Sequence, residues 1–282
     1  MEIVRTPRDM QRWVREARAR GQSIGFVPTM GAFHDGHLSL MRRARSENDV
    51  VVVSLFVNPK QFNEASDLAA YPRDEAADAR LAESGGVHVL YAPDVDAMYP
   101  PGFSTTIIVS GVSEVLEGAV RGARHFHGVA TVVAKLLHAV PGDRVYLGQK
   151  DAQQVAVLRR MIRDLDFDIE VVVCPTVREP DGLAMSSRNV YLKDHDRVRA
   201  LALRHGLDAA LSAINDGGRN AATLVDAAAS AMRRDGVEPE YVAAVDPLSL
   251  EPKETLSGEV LIAVAARVGP VRLIDNELVR LS

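Results

Sequence analysis

Asp49-Val50-Val51-Val52-Val53-Ser54-Leu55-Phe56-Val57 is a nearly unbroken apolar run opening with four consecutive valines. It lacks the polar alternation of a strand with one wet face, so it suits a strand buried on both faces. Such strands belong to parallel sheets covered by helices. The neighbouring segments agree. Before it, Ser23–Pro28 is a short apolar run, and Gly36–Arg45 carries Leu38, Met41 and Ala44 at helical spacing. After it, the pattern predicts a helix over Asp74–Ser84, a strand at Val87–Tyr91 and an apolar helix over Gly128–Val140. A strand at Arg144–Leu147, a helix over Asp151–Leu165 and a strand at Ile169–Cys174 follow. Strands alternating with helices imply βαβ crossovers and a doubly wound, Rossmann-like parallel sheet.

The texture changes after Pro175. Pro180-Asp181-Gly182 is a turn signal. The spacing then predicts two long helices, about His195–Asn215 and Asn220–Asp235, followed by strands at Tyr241–Val245 and Val260–Val268 of a small antiparallel sheet. The expected organisation is an α/β catalytic domain over 1–176 and a smaller α+β domain over 177–282, closing over the site. Pro7–Arg20 reads as a helix whose arginines, Arg8, Arg12, Arg15, Arg18 and Arg20, form a solvated face.

Composition narrows the classes. The chain has 282 residues, 47% hydrophobic and 25% charged, as in ordinary globular proteins. It can bury about three quarters of its unfolded surface. The single cysteine, Cys174, excludes an intramolecular disulfide and fits a reducing cytoplasm. No apolar stretch approaches a membrane span, and Met1-Glu2-Ile3-Val4-Arg5 lacks a secretory hydrophobic region. A net charge of −5 argues against a nucleic acid partner.

Three segments carry phosphate-suited groups. Pro28-Thr29-Met30-Gly31-Ala32-Phe33-His34-Asp35-Gly36-His37 joins a strand to a helix, the edge at which open α/β sheets bind ligands. A helix starting there offers free backbone N–H groups and a positive dipole end. Gly31-xxxx-Gly36 mimics a P-loop, but His37-Leu38 stands where Lys-Ser/Thr is required, and there is no G-x-G-x-x-G. Imidazoles at His34 and His37 can donate to charge growing on phosphorus. The bland alternative is a turn whose histidines only cap the helix. Gly182-Leu183-Ala184-Met185-Ser186-Ser187-Arg188-Asn189 supplies hydroxyls, backbone donors and a guanidinium able to bind phosphate bidentately, or else is a polar loop. Tyr146-Leu147-Gly148-Gln149-Lys150-Asp151 places Lys150 at another strand-to-helix turn, or is an ordinary first turn capped by Asp151. Together they point to a nucleoside triphosphate.

The first segment resembles the HxGH signature of the adenylyl-transferring α/β superfamily, and Met185–Arg188 resembles its KMSKS-type loop. With Phe56-Val57-Asn58-Pro59-Lys60-Gln61-Phe62, Tyr71-Pro72-Arg73, Phe126 to Gly128, Gly148 to Gln154 and Asp181 to Asn189, the chain is similar to the pantothenate synthetase (pantoate–β-alanine ligase) family over about residues 24–192. The resemblance implies condensation of D-pantoate with β-alanine, using ATP as substrate and passing through a pantoyl adenylate. It implies Mg2+ with the triphosphate, a cytoplasmic homodimer, and no nucleic acid or membrane partner. The implied catalytic residues are His37, His34, Lys150 and Arg188. The implied ATP contacts are Met30, Gly31, Ala32, Phe33, His34, Asp35, Gly36 and His37, then Gly148, Gln149, Lys150 and Asp151, then Val177, Met185, Ser186, Ser187 and Arg188. Gln61 would meet pantoate and β-alanine, Gln154 would meet pantoate, and Asp78 is the family-matched candidate for a magnesium ligand, or else a solvated helix residue.

The chain departs from that pattern in places. Gln149 stands where relatives commonly have Glu. Asn63 and Ser66 replace the usual Gly and Glu. Arg121-Gly122-Ala123-Arg124-His125-Phe126-His127 replaces the usual Arg-Pro-Gly-His-Phe-Arg and is one residue longer, and the insertion is expected to bulge at Gly122-Ala123. Competing readings are another HxGH adenylyltransferase, a class I aminoacyl-tRNA synthetase, a zinc hydrolase using His34 and His37 with His125 and His127, and a non-catalytic nucleotide sensor.

Overall fold

The computed structural model describes residues 1–281. The chain divides into two compact units, Met1–Gly148 with Val157–Cys174, and Gln149–Ala156 with Pro175 onward.

In the first unit, six strands form a parallel sheet among the described residues, in the order β1-β4-β3-β2-β5-β6. They are β1 (Glu2–Val4), β2 (Ile24–Thr29), β3 (Val50–Leu55), β4 (Val89–Tyr91), β5 (Arg144–Gly148) and β6 (Glu170–Cys174). Pairing is parallel throughout, with Phe26 opposite Val52 and Val145 opposite Val171. Val51, Val52 and Val53 are fully buried, as a two-sided strand requires. The helices are α1 (Pro7–Ala19), α2 (Asp35–Glu47), α3 (Ala65–Ala70), α4 (Glu75–Ser84), α5 (Val95–Met98), α6 (Glu117–Arg121) and α7 (Arg124–Ala139). Leu38, Met41 and Ala44 of α2 share a core cluster with Val27, Val51, Val53 and Leu90 of the sheet. Each such burial contributes about 1.5–3 kcal/mol for a large aliphatic side chain. The strand order reverses between β2 and β5, the switch point where such sheets bind ligands.

Helix α8 (Ala152–Asp164) begins in the second unit and ends in the first. The rest of the second unit comprises α9 (Asp194–Arg199), α10 (Ala202–Asn215), α11 (Ala221–Arg234), β7 (Pro239–Val245), β8 (Gly258–Val268) and β9 (Val271–Leu281). The strands form an antiparallel sheet in the order β7-β8-β9. Its core joins Leu203, Leu207 and Ile214 of α10 to Ile262 and Val264 of β8.

The short helices α3, α5 and α6 lie outside the elements expected from sequence, and the structure corrects that reading in three further places. The helix expected over His195–Asn215 is two helices, because the buried stripe begins only at Ala200 and α9 buries nothing. Strand β9 lies outside the expected elements, although Gly269-Pro270 between two apolar runs is a two-residue hairpin signal. Strand β1 does too, a three-residue edge too short for periodicity to register.

Candidate active site

Strand β2 delivers the chain to a loop of unusual backbone. Gly31 has φ +88° and Ala32 has φ +54°. A Cβ at Gly31 would lie 2.5 Å from Leu55 Cδ1 and 2.8 Å from Asp78 Oδ2, so glycine alone fits. The left-handed conformation of Ala32 costs about 1–2 kcal/mol and must be held by its surroundings. Asp78 of α4 holds it. This carboxylate is 4% exposed; Oδ2 accepts from the Ala32 N–H at 2.9 Å and Oδ1 from the Phe33 N–H at 2.8 Å.

Each Asp78 oxygen thus accepts from one backbone amide, which makes the carboxylate the brace of this loop. Among the described residues no three His, Cys, Asp or Glu side chains cluster to hold a metal ion.

Helix α2 then starts with two imidazoles. His34 is its N-cap, and Nδ1 accepts from the Gly36 N–H at 3.1 Å. His37 Nδ1 accepts in turn from the His34 N–H at 3.4 Å. The ring centroids are 4.2 Å apart. An accepting Nδ1 assigns the proton of each neutral ring to Nε2. The histidines therefore do cap the helix, and the capping itself sets them up as Nε2–H donors at its positive end.

Gln61 is fixed from three sides. Its Oε1 accepts from Asn58 Nδ2 at 3.0 Å, its Nε2 lies 3.0 Å from Met30 Sδ, and its backbone carbonyl is 2.7 Å from His125 Nδ1. Asn58, 1% exposed, also donates to the Gly128 carbonyl at 3.1 Å and accepts from the Tyr99 hydroxyl at 2.8 Å. Burial pushes the Tyr99 phenol up, keeping it a donor. A Cβ at Gly128 would stand 2.3 Å from the Lys60 carbonyl, so α7 and the Pro59–Gln61 turn meet only through glycine. Arg121 Nη1 is 3.2 Å from His125 Nε2, Gly122 has φ +84°, and Arg124 is exposed. Sequence reasoning assigns no such roles to Asn58, Tyr99 and His125. Asn58 before Pro59 is a turn signal, but Tyr99 lies 41 residues away and carries none.

The remaining predicted residues, apart from Gly148 at the end of β5, belong to the second unit. Gln149–Asp151 form a 3-10 turn, with Lys150 Nζ 3.7 Å from Asp151 Oδ1. Gln154 is half-buried in the first turn of α8. Val177–Met185 is a hairpin closed by Met185 N–H to the Val177 carbonyl at 2.9 Å and Glu179 N–H to the Leu183 carbonyl at 2.8 Å. Ser186 Oγ accepts from the Arg188 N–H at 3.2 Å, capping the 3-10 turn that carries Arg188. Asn189 Nδ2 and Arg197 Nη2 both reach Glu179 at 2.6 Å, and Arg197 also pairs with Asp181 at 2.6 Å.

Residues 2–278 match the model of a family described as pantoate–β-alanine ligase. A pantothenate synthetase from Thermotoga neapolitana is 50% identical over 279 residues, covering 99% of each chain. One from Heliobacterium modesticaldum is 51% identical over 280 residues, again covering 99% of each. The crystal structure of pantothenate synthetase from Thermus thermophilus superposes with a TM-score of 0.92 at 45% identity, covering 98% of this chain and 99% of that one. That of pantoate–β-alanine ligase from Francisella tularensis, complexed with beta-gamma ATP and β-alanine, gives 0.79 at 34% identity, covering 99% and 97%.

Proposed function

The chain belongs to the pantoate–β-alanine ligase family, and on that premise we propose that it condenses D-pantoate with β-alanine, converting ATP to AMP and pyrophosphate. In the first step a pantoate carboxylate oxygen attacks the α-phosphorus, and the bond to the bridging oxygen of pyrophosphate breaks. In the second, the β-alanine amine attacks the acyl carbon, AMP departs with the C–O electron pair, and the nitrogen loses a proton. The nucleophile of the first step is already a carboxylate, so no base is needed there.

The observation that carries this reading is the reciprocal cap of His34 and His37. It supports Nε2–H donation to phosphate oxygens, which strengthens as charge develops on them. Gly31–Phe33 and the first turn of α2 line the nucleotide. Lys150 and Arg188 supply cations for the phosphates, Ser186 and Ser187 supply hydroxyls, and Val177 contributes backbone toward adenine. Gln61 and Gln154 meet the hydroxyls and carboxylate of pantoate without adding charge, and Gln61 also borders β-alanine. Magnesium would enter with the triphosphate and would share the charge of the departing pyrophosphate; Asp78, whose oxygens brace the Ala32 and Phe33 amides, is not assigned to it. The ATP- and β-alanine-bound relative supports these small-molecule substrates. No helix of the described residues is long and apolar enough to cross a membrane. A cytoplasmic homodimer completes the reading; sedimentation should give twice the 30.6 kDa chain mass.

ATP–pyrophosphate exchange tests the two steps. Exchange that needs pantoate but not β-alanine is expected. Exchange that appears only with β-alanine present would replace the adenylate by a concerted route.

A further inference from the structure

Two neighbouring residues of β9 brace both loops that carry the second unit's proposed phosphate-binding side chains, Lys150 and Arg188. Asp275 and Asn276 are 3% and 4% exposed, and successive strand residues address opposite faces. Asn276 Nδ2 donates to the Gln149 carbonyl at 3.0 Å and the Lys150 carbonyl at 2.9 Å. Its Oδ1 accepts from Gln149 Nε2 at 2.9 Å. Both amide hydrogens and the oxygen are thus spent on one turn. Asp275 takes Arg178 bidentately, at 2.6 and 3.1 Å, and accepts the Asn276 N–H at 2.8 Å. Arg178 also donates to the Gly182 carbonyl at 3.1 Å, bracing the hairpin that leads into Met185–Arg188.

We infer that Asn276 is a positioning residue for Lys150: it fixes the Lys150 backbone through two carbonyls while remaining neutral. This rests on the proposed role of Lys150 at the triphosphate. A loosely held backbone lets the ammonium range over a larger volume, and the ordering must then be supplied when ATP binds. A carboxylate in the same place would repel the two carbonyls and offer Lys150 a competing partner. Gln149 completes the arrangement. Its amide donates to Asn276 Oδ1, which a Glu at 149 could not do when ionised.

The test is a double-mutant cycle read by pantoate-dependent pyrophosphate exchange and by unfolding. Asn276→Asp should lower kcat/KM for ATP on the order of tenfold, the size of one or two lost hydrogen bonds, with KM for pantoate changed less than about twofold. In a Lys150→Ala background the same substitution should change kcat/KM less than about twofold, since no ammonium remains to place. Gln149→Met, which removes one of the three bonds and preserves bulk, should act in the same direction with about a threefold loss. Independent, multiplying effects of Asn276→Asp and Lys150→Ala would overturn the inference. So would a lowered unfolding midpoint with unchanged exchange per folded molecule. A silent Lys150→Ala would overturn it through the role of Lys150 itself, an outcome visible in that variant alone.

Discussion

The loop before α2 and the turn before α8 are each pinned by one buried polar side chain from a distant element, with opposite hydrogen-bond sense. Asp78 is an acceptor and consumes the N–H groups of Ala32 and Phe33. Asn276 is a donor and consumes the carbonyls of Gln149 and Lys150. The first arrangement suits a strained backbone, because a carboxylate binds two amide N–H groups strongly. Its cost is a buried carboxylate, and the donors that follow it are imidazoles. The second suits a turn whose two carbonyls need donors, and it does so without adding charge beside Lys150.

The sharpest way to break this comparison is at the groups being presented. His37→Ala should slow adenylation about a hundred- to a thousandfold, the usual loss for one preorganised donor to developing charge, with ATP affinity little changed. Near-normal rate with weakened binding would make His37 a ground-state contact. Next is the pin itself. Asp78→Ala strands two amide N–H groups at about 1–3 kcal/mol each, so urea denaturation should show a lowered midpoint at unchanged slope. An unaltered midpoint would mean Ala32 and Phe33 find other acceptors. Gly128→Ala tests the third fixed residue, because the added methyl must displace the Lys60 carbonyl and with it Gln61. KM for pantoate should rise about tenfold while ATP binding stays put; equal effects on both substrates would detach Gln61 from pantoate. The smallest effect concerns the inserted residue. Arg121→Ala, which loses the His125 contact, should reduce turnover severalfold, about the value of one hydrogen bond. Arg124→Ala should fall within about twofold of wild type, as exposed substitutions generally do. The reverse ranking in a steady-state assay would place the register shift upstream of Arg121.

What is legible in the sequence is contiguous. The Val50–Val53 run announces a buried parallel strand, and Met30–His37 and Met185–Arg188 each carry their functional groups within a few positions. The residues that orient those groups are not legible. Asp78 lies 46 residues from Ala32, Tyr99 lies 41 from Asn58, and Asn276 lies 127 from Gln149. Hydrogen bonds of that reach leave no periodicity on either side. Asp78 reads as a candidate metal ligand or a solvated helix residue; only the positions of the Ala32 and Phe33 amides reveal its role as a buried brace. The break between α9 and α10 is hidden for a different reason. No glycine or proline marks it, and it arises where an exposed segment meets the start of the buried stripe.

The pin on β9 also sets an order of events during synthesis. At about 5–20 residues per second, the 127 positions between Gln149 and Asn276 take roughly 6–25 s to translate. Through that interval the parallel sheet can assemble from its own strands, and before its end every recognisable motif has been made. The Lys150 turn nevertheless waits for an asparagine not yet joined to the chain. A nascent chain stalled before β9 would carry the family's complete signature with that turn unpinned, so ATP affinity should appear late in elongation, after the fold of the first unit.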